Sequence, residues 1–482
     1  MKKLLIALTI IASIATYSCS KDFGTLNKNT KLPETATGEA EFSNAQKEYV
    51  DLMATPNVNT NIFELITQYW AETQYPQESQ YELTERNIAR NWWSTLYRNV
   101  IANTQDAIKL IKTEVTPLPA DVKVQSNKVA ICQILYAKAY SDLVVTFGDI
   151  PYTDAISIEQ TSTPKYDNQK TVYYAIIDTL NKALSTLDID YEAMGTQDLF
   201  YNGDVAKWIK LGNSIKMYLG LLIYDVDPAK ATAMVKEASA KAFESNEDNT
   251  ILHYLPAPPN TNPIWVNLVQ GGRDDFIPTN TLVNLMNGLN DPRRDIYFAN
   301  KIGGKYVGGV SGTGNTYKNF SHPGDGLKEP TYPFTIFDYA QVEFLRAEAI
   351  ERGIAVGGTA AGHYSNAVTA SILAWGGSSA QATTYLLQPS VNYLTATGNW
   401  KQKIGTQSWI HFYLRGFDSW TQQRKLDFPK LIVPELAVSG YPVRYTYPQN
   451  EYTLNEANVT EASANLGSGG DKVETKLFWD KN

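Results

Sequence analysis

The stretch AKAYSDLVVTFGDIPYTDA, residues 137–155, decides how the chain folds. It closes a longer apolar pattern, KVAICQILYAKAYSDLVV (128–145), in which Val129, Cys132, Leu135, Tyr136, Ala139 and Leu143 recur at steps of three and four. That period belongs to a helix, since a half-buried strand repeats every second residue. Gly148 and Pro151 end the helix: glycine accepts the left-handed backbone of a C-terminus, and proline has no N–H with which to continue. Within FGDIPYTDA, Asp149 is read as a side chain bonding its own turn and Pro151 as the fixed exit, both structural roles.

Working outward, the same period returns on both sides. Upstream, ARNWWSTLYRNVIANTQDAIKLIK (89–112) spaces Trp93, Leu96, Val100, Ala107 and Ile111 as a helix face. Downstream come TVYYAIIDTLNKALSTL (171–187) and DVAKWIKLGNSIKMYLGLLIYDV (204–226), with Thr171 and Asp204 as candidate caps. Farther on, Ala347, Ala349 and Gly353 precede Ala361, Tyr364 and Ala367, placing small residues where two helices cross closely, as in a tetratricopeptide pair. No exact tandem repeat is present, so any solenoid is degenerate. Residues 250–335 break the pattern with Pro, Gly, Asn and aromatics, and a segment this long inside a compact chain is usually functional. The tail from 434 to 482 reads as irregular. The fold class expected is mainly α: tetratricopeptide-like helix pairs packed against a loop-rich binding region, with few strands, all within 250–335.

The N-terminus carries a different signal. Met1-Lys2-Lys3 is followed by an apolar run from Leu4 to Ala15, then by Ser18 and Cys19. A short basic head, a short apolar core and a small residue before a retained cysteine describe a lipoprotein export signal, and the run is too short to span a bilayer. Residues 1–18 are therefore read as signal peptide, Cys19 as the lipid attachment point, and 19–44 as a polar tether. Residues 45–482 form one domain with the irregular insertion. Each buried acyl methylene contributes about 0.8 kcal/mol, so two or three chains anchor a protein stably. With Cys19 acylated, Cys132 has no partner for a disulfide, and stability must come from core size.

Composition narrows the function. A formal net charge of −8 without a basic cluster argues against nucleic acid, whose phosphates need Lys and Arg. The chain has 30 tyrosines against 16 phenylalanines, and tyrosine suits wet clefts because its apolar face ends in a hydrogen-bonding tip.

Taken together, the export signal, WWSTLYRNVIAN (92–103), AKAYSDLVVTFGDIPYTDA, LNDPRRDIYF (289–298), YAQVEFLRAEAIERG (339–353), IHFYLRGFDSWTQQRKLDFPKL (410–431) and PVRYTYPQNEYTLNEANV (442–459) resemble, in order and spacing, the SusD/RagB family of outer-membrane nutrient-binding lipoproteins of Bacteroidetes. The resemblance implies a lipid-anchored protein at the cell surface that captures a nutrient, commonly a glycan, and caps a SusC-type TonB-dependent transporter. Read from the residues alone, most of these motifs are structural. NDPRRD starts a turn in which Arg293 or Arg294 pairs with a carboxylate, and the aromatics of RGFDSW and YTYPQNEY pin the C-terminal segment onto the helices.

Sugar recognition calls for flat aromatic faces and planar polar groups standing on loops. Two stretches satisfy this: QYWAETQYPQESQY (68–81), with Trp70, Gln74, Tyr75, Gln77 and Tyr81, and NPIWVNLVQGGRDDF (262–276), with Trp265, Asn267, Arg273, Asp274, Asp275 and Phe276. Gly271-Gly272 would let the backbone approach a ligand. His253, His322, His363 and His411 lie far apart, and no H-E-x-x-H, G-x-S-x-G or P-loop occurs, so no catalytic, metal or cofactor residue is assigned. Gly324-Asp325-Gly326 lacks the alternating acidic ligands of a calcium loop. Two rival readings share these features: a secreted helical glycoside hydrolase or lyase, and a tetratricopeptide scaffold without a small ligand.

Overall fold

Twenty-nine consecutive residues, Pro119–Phe147, form the longest helix and the axis of the fold. The computed structural model describes residues 36–156 and 161–481. The helix is apolar enough by length and composition to cross a membrane, but 83% of its most apolar window is buried inside the protein, so it is a core helix. In chain order the helices before it are α1 (Gly38–Ala54), α2 (Phe63–Ile66), α3 (Ile88–Ser94), which runs into a π-helical segment (Thr95–Ala102), and α4 (Asn103–Lys112). The long helix is α5, followed by α6 (Gln169–Thr186), α7 (Val205–Leu222) and α8 (Pro228–Ser239). Helices pack in pairs: α5 on α6, α7 on α8, and α1 on α4. Later come α9 (Pro263–Trp265), α10 (Asn280–Gly288), α11 (Arg294–Tyr297), α12 (Tyr339–Glu351), α13 (Ala360–Ala374), α14 (Ser379–Leu386), α15 (Trp400–His411) and α16 (Gly416–Leu426). The small residues Ala347, Ala349 and Ala367 are buried where α12 meets α13, as the spacing requires for a close crossing.

Several sequence-based expectations change. The first described helix begins at Gly38, not near residue 45, because Phe42, Ala45 and Tyr49 are core residues and a Cβ at Gly38 would strike Ile111. Residues 38–44 thus belong to the folded body, while Cys19 and the signal lie outside the described residues. Asp204 caps α7, accepting from the Lys207 N–H, but α6 is capped by Asn168 and not by Thr171. The tail holds two short helices, α17 (Glu451–Leu454) and α18 (Glu456–Asn465). Among the described residues six short strands make three two-stranded antiparallel pairs, and β1 (Trp70–Glu72) lies outside the 250–335 region to which strands were assigned. It pairs with β3 (Phe276–Pro278); β2 (Thr250–Leu252) pairs with β6 (Phe334–Phe337), and β4 (Phe298–Ala299) with β5 (His322–Pro323).

The end of α5 shows how the chain is closed. A helix leaves its last carbonyls without intrahelical donors, and these are buried here. Arg424 donates to the Val145 carbonyl (2.8 Å), the Tyr445 N–H to Thr146 (2.9 Å) and Arg444 to Phe147 (2.9 Å). Gly148 then turns with φ of 91°, and a Cβ there would overlap Leu466 and Leu477. Asp149 does not bond its own turn: its carboxylate accepts from the Gln169 N–H (2.9 Å) at the start of α6, and its carbonyl accepts from the Tyr447 hydroxyl (3.0 Å).

A second closure surrounds Phe63. Its ring packs at 4.9–5.1 Å against Trp92, Phe417, Trp420 and Tyr445, joining residues more than 350 positions apart. Gly416 is required beside it, since a Cβ would come within 2.6 Å of the Phe63–Glu64 backbone. Glu64 is half-buried there, its carboxylate turned inward, and accepts the Gly416 N–H (2.6 Å). Burial pushes its carboxyl up to about 8, against the N–H groups of Gly416 and Leu414.

Two outcomes follow for stability. Arg444→Met should cost about 3 kcal/mol or more in urea unfolding, because it leaves the Phe147 carbonyl without its donor and Asp471 without its cation. Because the folded state holds the Glu64 proton more tightly than the unfolded chain, its stabilising contribution is complete below the ordinary carboxylate range and is lost as pH rises through about 8. Urea midpoints of the wild type should fall from pH 5 to pH 9, and Glu64→Gln should flatten that fall.

Candidate functional site

The pairing of β1 with β3 brings the two sequence stretches side by side, with Glu72 opposite Phe276. The ladder continues past the strand ends: the Thr73 N–H donates to the Asp275 carbonyl (2.9 Å) and the Thr73 hydroxyl to the Asp274 carbonyl (2.6 Å). Gln74 and Tyr75 are thereby carried, exposed, past Arg273 and Asp274, which are exposed too. Tyr75 is 68% accessible and sits at φ of 55°, a left-handed conformation that costs a bulky L-residue about 1–2 kcal/mol. Strain held at an exposed aromatic ring marks a position selected for something other than stability. Arg273 pairs with Asp275 (2.5 Å), which presets its guanidinium.

A third segment completes the surface. Asn315 lies almost wholly buried; its amide donates to the carbonyls of Glu72 (2.9 Å), Val310 (3.0 Å) and Thr313 (2.8 Å), and its N–H donates to Thr73 (3.1 Å). This pins residues 310–315 to β1, and the following turn, Tyr317–Asn319, comes near enough to Asp274 for that carboxylate to act on the Tyr317 hydroxyl. The approach needs glycine at 308 and 309, where a Cβ would meet the Thr279 backbone and the Ile277 side chain at 2.3 Å. The Tyr317 ring stacks on His322 with centroids 3.7 Å apart and planes 11° from parallel. Burial, then the nearby Asp274 and Asp325 carboxylates, raise the Tyr317 hydroxyl to about 12, so it stays a hydrogen-bond donor at neutral pH. Burial lowers the His322 imidazole, which keeps the stack neutral.

Three of the expected aromatic contacts do not survive. Trp70, Phe276 and Tyr81 are buried to 1%, 4% and 2% accessibility. Trp70 stacks on Phe276 at 5.3 Å and donates its indole N–H to the Tyr413 hydroxyl (2.9 Å), so it is the floor beneath the surface and not a platform on it. Strands three residues long gave no usable period, so Trp70 and Phe276 looked like loop residues, whereas Tyr81 does stand on a turn but points its ring inward. Trp265 is half-buried on α9, which packs against the turn Asp325–Lys328. Asn267, on the π-helical turn Val266–Gln270, faces away into a separate cavity of 350 Å³ shared with Asp51 and Thr261. Sequence reading missed Tyr317 and His322. An aromatic pair within the glycine- and asparagine-rich run 303–322 was the available signal.

Ser371 Oγ lies 3.0 Å from His411 Nδ1, and His411 Nε2 lies 3.0 Å from Asp338. The serine is wholly inaccessible and accepts a hydrogen bond from Arg293 (2.7 Å), so the line is a buried relay between Asp291–Arg293 and Asp338–Arg415 in which the Ser371 hydroxyl is shut off from any substrate. Burial alone would raise the Asp338 carboxyl, but His411 and Arg415 hold it well below the usual carboxylate range. Among the described residues no cluster of three His, Cys, Asp or Glu forms a metal site.

A mainly helical body built on paired helices is also what comparison with known proteins returns. Residues 29–448 match the SusD-like family described as starch-binding and associating with the outer membrane, and the chain belongs to that family. Among solved structures it is similar to a chitin-binding protein, with 26% identity and a TM-score of 0.78 over 92% of this chain and 100% of that one. It is similar as well to a SusD homologue from Bacteroides uniformis (26% identity, TM-score 0.77, 92% and 99% covered). A chitin-binding SusD homologue from Flavobacterium johnsoniae shares the fold at 24% identity and a TM-score of 0.78, with 92% and 98% covered. No curated protein sequence matches the chain.

Substitutions separate floor from surface. Trp70→Ala should lower stability by about 3–5 kcal/mol as a core truncation, read by chemical unfolding. Tyr75→Gly should stay within about 1 kcal/mol of wild type, since relief of the left-handed strain offsets the added freedom of the unfolded chain.

Proposed function

We propose that this protein is a cell-surface lipoprotein, anchored through Cys19, that captures an oligosaccharide and delivers it to a SusC-type TonB-dependent transporter in the outer membrane. The observation that carries the reading is the half-buried Tyr317–His322 stack near the Asp274 carboxylate, with the exposed Tyr75 and Arg273 on the paired β1 and β3 segments: rings for the apolar faces of sugars, and charged groups for their hydroxyls. The family's starch-binding description and the chitin-binding relative support a glycan as cargo. Such a surface exchanges water hydrogen bonds for ligand ones at small net gain. After the entropy of association is subtracted, micromolar affinity or weaker is expected, on the order of −5 to −8 kcal/mol. Weak binding suits a protein that must release its cargo.

The test is calorimetric titration of malto- and chito-oligosaccharides into wild type and Tyr317→Ala, with product analysis of the mixture. Binding that weakens tenfold or more in Tyr317→Ala at unchanged melting temperature supports capture. Loss of the ring without effect on affinity removes the platform, and hydrolysis of the sugar by wild type moves the protein to the glycosidases. Cys19→Ala should release the protein from membranes, and membrane-bound protein with an unmodified Cys19 thiol by mass spectrometry would refute the anchor.

A further inference from the structure

The turn that joins α12 to α13, residues 353–359, holds no acidic or basic side chain, and on α13 itself His363 is the only one. None stands on α14 either, which packs on α13. His363 lies half-buried in the first turn of α13 and reaches two neighbours at once. Its Nδ1 is 2.8 Å from Glu343 Oε2 on α12, and its Nε2 is 3.0 Å from the Gly357 carbonyl oxygen. The turn is shaped around the ring: Gly357 and Gly358 take φ of 84° and 66°, and a Cβ on Gly358 would come within 2.7 Å of His363 Nε2. Glu343 is fixed from behind. Its Oε1 accepts from Arg346 (2.6 Å) and its Oε2 also from Asn366 (2.9 Å). Arg346 in turn donates to the carbonyls of Ser239 (2.8 Å) and Phe243 (3.0 Å), at and just beyond the end of α8.

Neither a carboxylate nor a carbonyl can donate a hydrogen bond. Both contacts are therefore made together only when both ring nitrogens carry hydrogen, that is, by the imidazolium. Burial alone would raise the Glu343 carboxyl, but the bonds from His363, Arg346 and Asn366 hold it below its ordinary value and keep it ionised. We propose that His363 is a pH-operated latch: charged, it ties the Gly357-Gly358 turn to α12, and neutral, it releases the turn. On losing a proton the ring keeps its N–H on the charged Glu343, the stronger acceptor, and turns a lone pair toward the Gly357 carbonyl oxygen. That contact becomes repulsive, and two glycines in succession let the turn move away. The charged groups that act on the ring are both on α12: the Glu343 bond raises the imidazole above its ordinary value, against the opposing effects of burial and of Arg346. Because the folded protein holds this proton more tightly than the unfolded chain, the latch's contribution is complete below the ordinary imidazole value of 6.5 and is lost as pH rises through the higher folded value. The latch is independent of the cargo and of what the Tyr317 surface takes.

The test is heteronuclear NMR of the full chain between pH 5.5 and pH 9.5, following the His363 ring and the amides of Gly357 and Gly358. In wild type the ring should titrate above the ordinary 6.5, and the glycine amides should shift with the same midpoint. Their order parameters should fall across it from about 0.85 to below about 0.6. His363→Gln should identify the ring signal by its loss and leave the turn equally mobile at both ends of the range. Glu64→Gln should leave the titration of the turn unchanged, which separates it from the carboxyl beside Gly416 that ionises at about 8. The proposal is overturned if the ring titrates at or below 6.5, if the glycine amides do not follow it, or if His363→Gln keeps the wild-type pH dependence of the turn. It is overturned too if Glu64→Gln abolishes that dependence, which would make the motion a consequence of the Phe63 region and not of the turn's own histidine.

Discussion

The buried C-terminus of α5 is the constraint on which the rest of the structure depends. A long apolar helix that ends inside the protein must find donors for its last carbonyls, and water cannot supply them. The donors come from residues 424, 444 and 445, close to 300 positions later. Two of the three are arginines, and cations are the favoured partners at a helix C-terminus because the helix dipole leaves that end negative. Arg424 also lies over the Trp420 ring at 3.4 Å, so a charge buried at low dielectric is offset by carbonyls and an aromatic face together. The C-terminal third of the chain is thus a structural part of the helix that precedes it, not an appendage.

Closure at α5 places the aromatic cluster around Phe63, and the cluster places the loop-rich side. Phe63 begins α2, which leads directly into β1, so the packing of Trp92, Phe417, Trp420 and Tyr445 on Phe63 sets where β1 leaves the core. The Trp70 indole on Tyr413 then fixes the strand a second time. From that point the candidate site is built by backbone hydrogen bonds: β1 to β3, Thr73 to Asp274 and Asp275, Asn315 to Thr73. A surface held by main-chain bonds to a rigid core keeps its geometry while exposed side chains vary, which suits a binding scaffold.

The helices were legible because each buries a face, and burial leaves a period in the sequence. Residues 128–147 and 339–367 read correctly for that reason, and the crossing of α12 with α13 was visible in its alanines. That one arginine of NDPRRD pairs with a carboxylate was legible, though not that it is Arg293 with Asp291, and so was the pinning role of RGFDSW and YTYPQNEY, since clustered aromatics have few other uses. Thr171 misled because a cap is decided by which side chain reaches the free N–H groups, and Asn168 does so one turn earlier. Trp70 misled because strands of two or three residues, paired across 200 positions, leave no local pattern.

By itself the sequence determined the class of fold, the places of most helices and the family. Which aromatics face solvent was decided only by tertiary structure. Tryptophan, tyrosine and phenylalanine serve equally well as core filling and as binding faces, and the choice between those uses is made by long-range pairing and not by the residues themselves. Trp70 and Tyr75 stand five positions apart in one stretch; β3 covers the first, and the left-handed turn at the second lifts its ring into water.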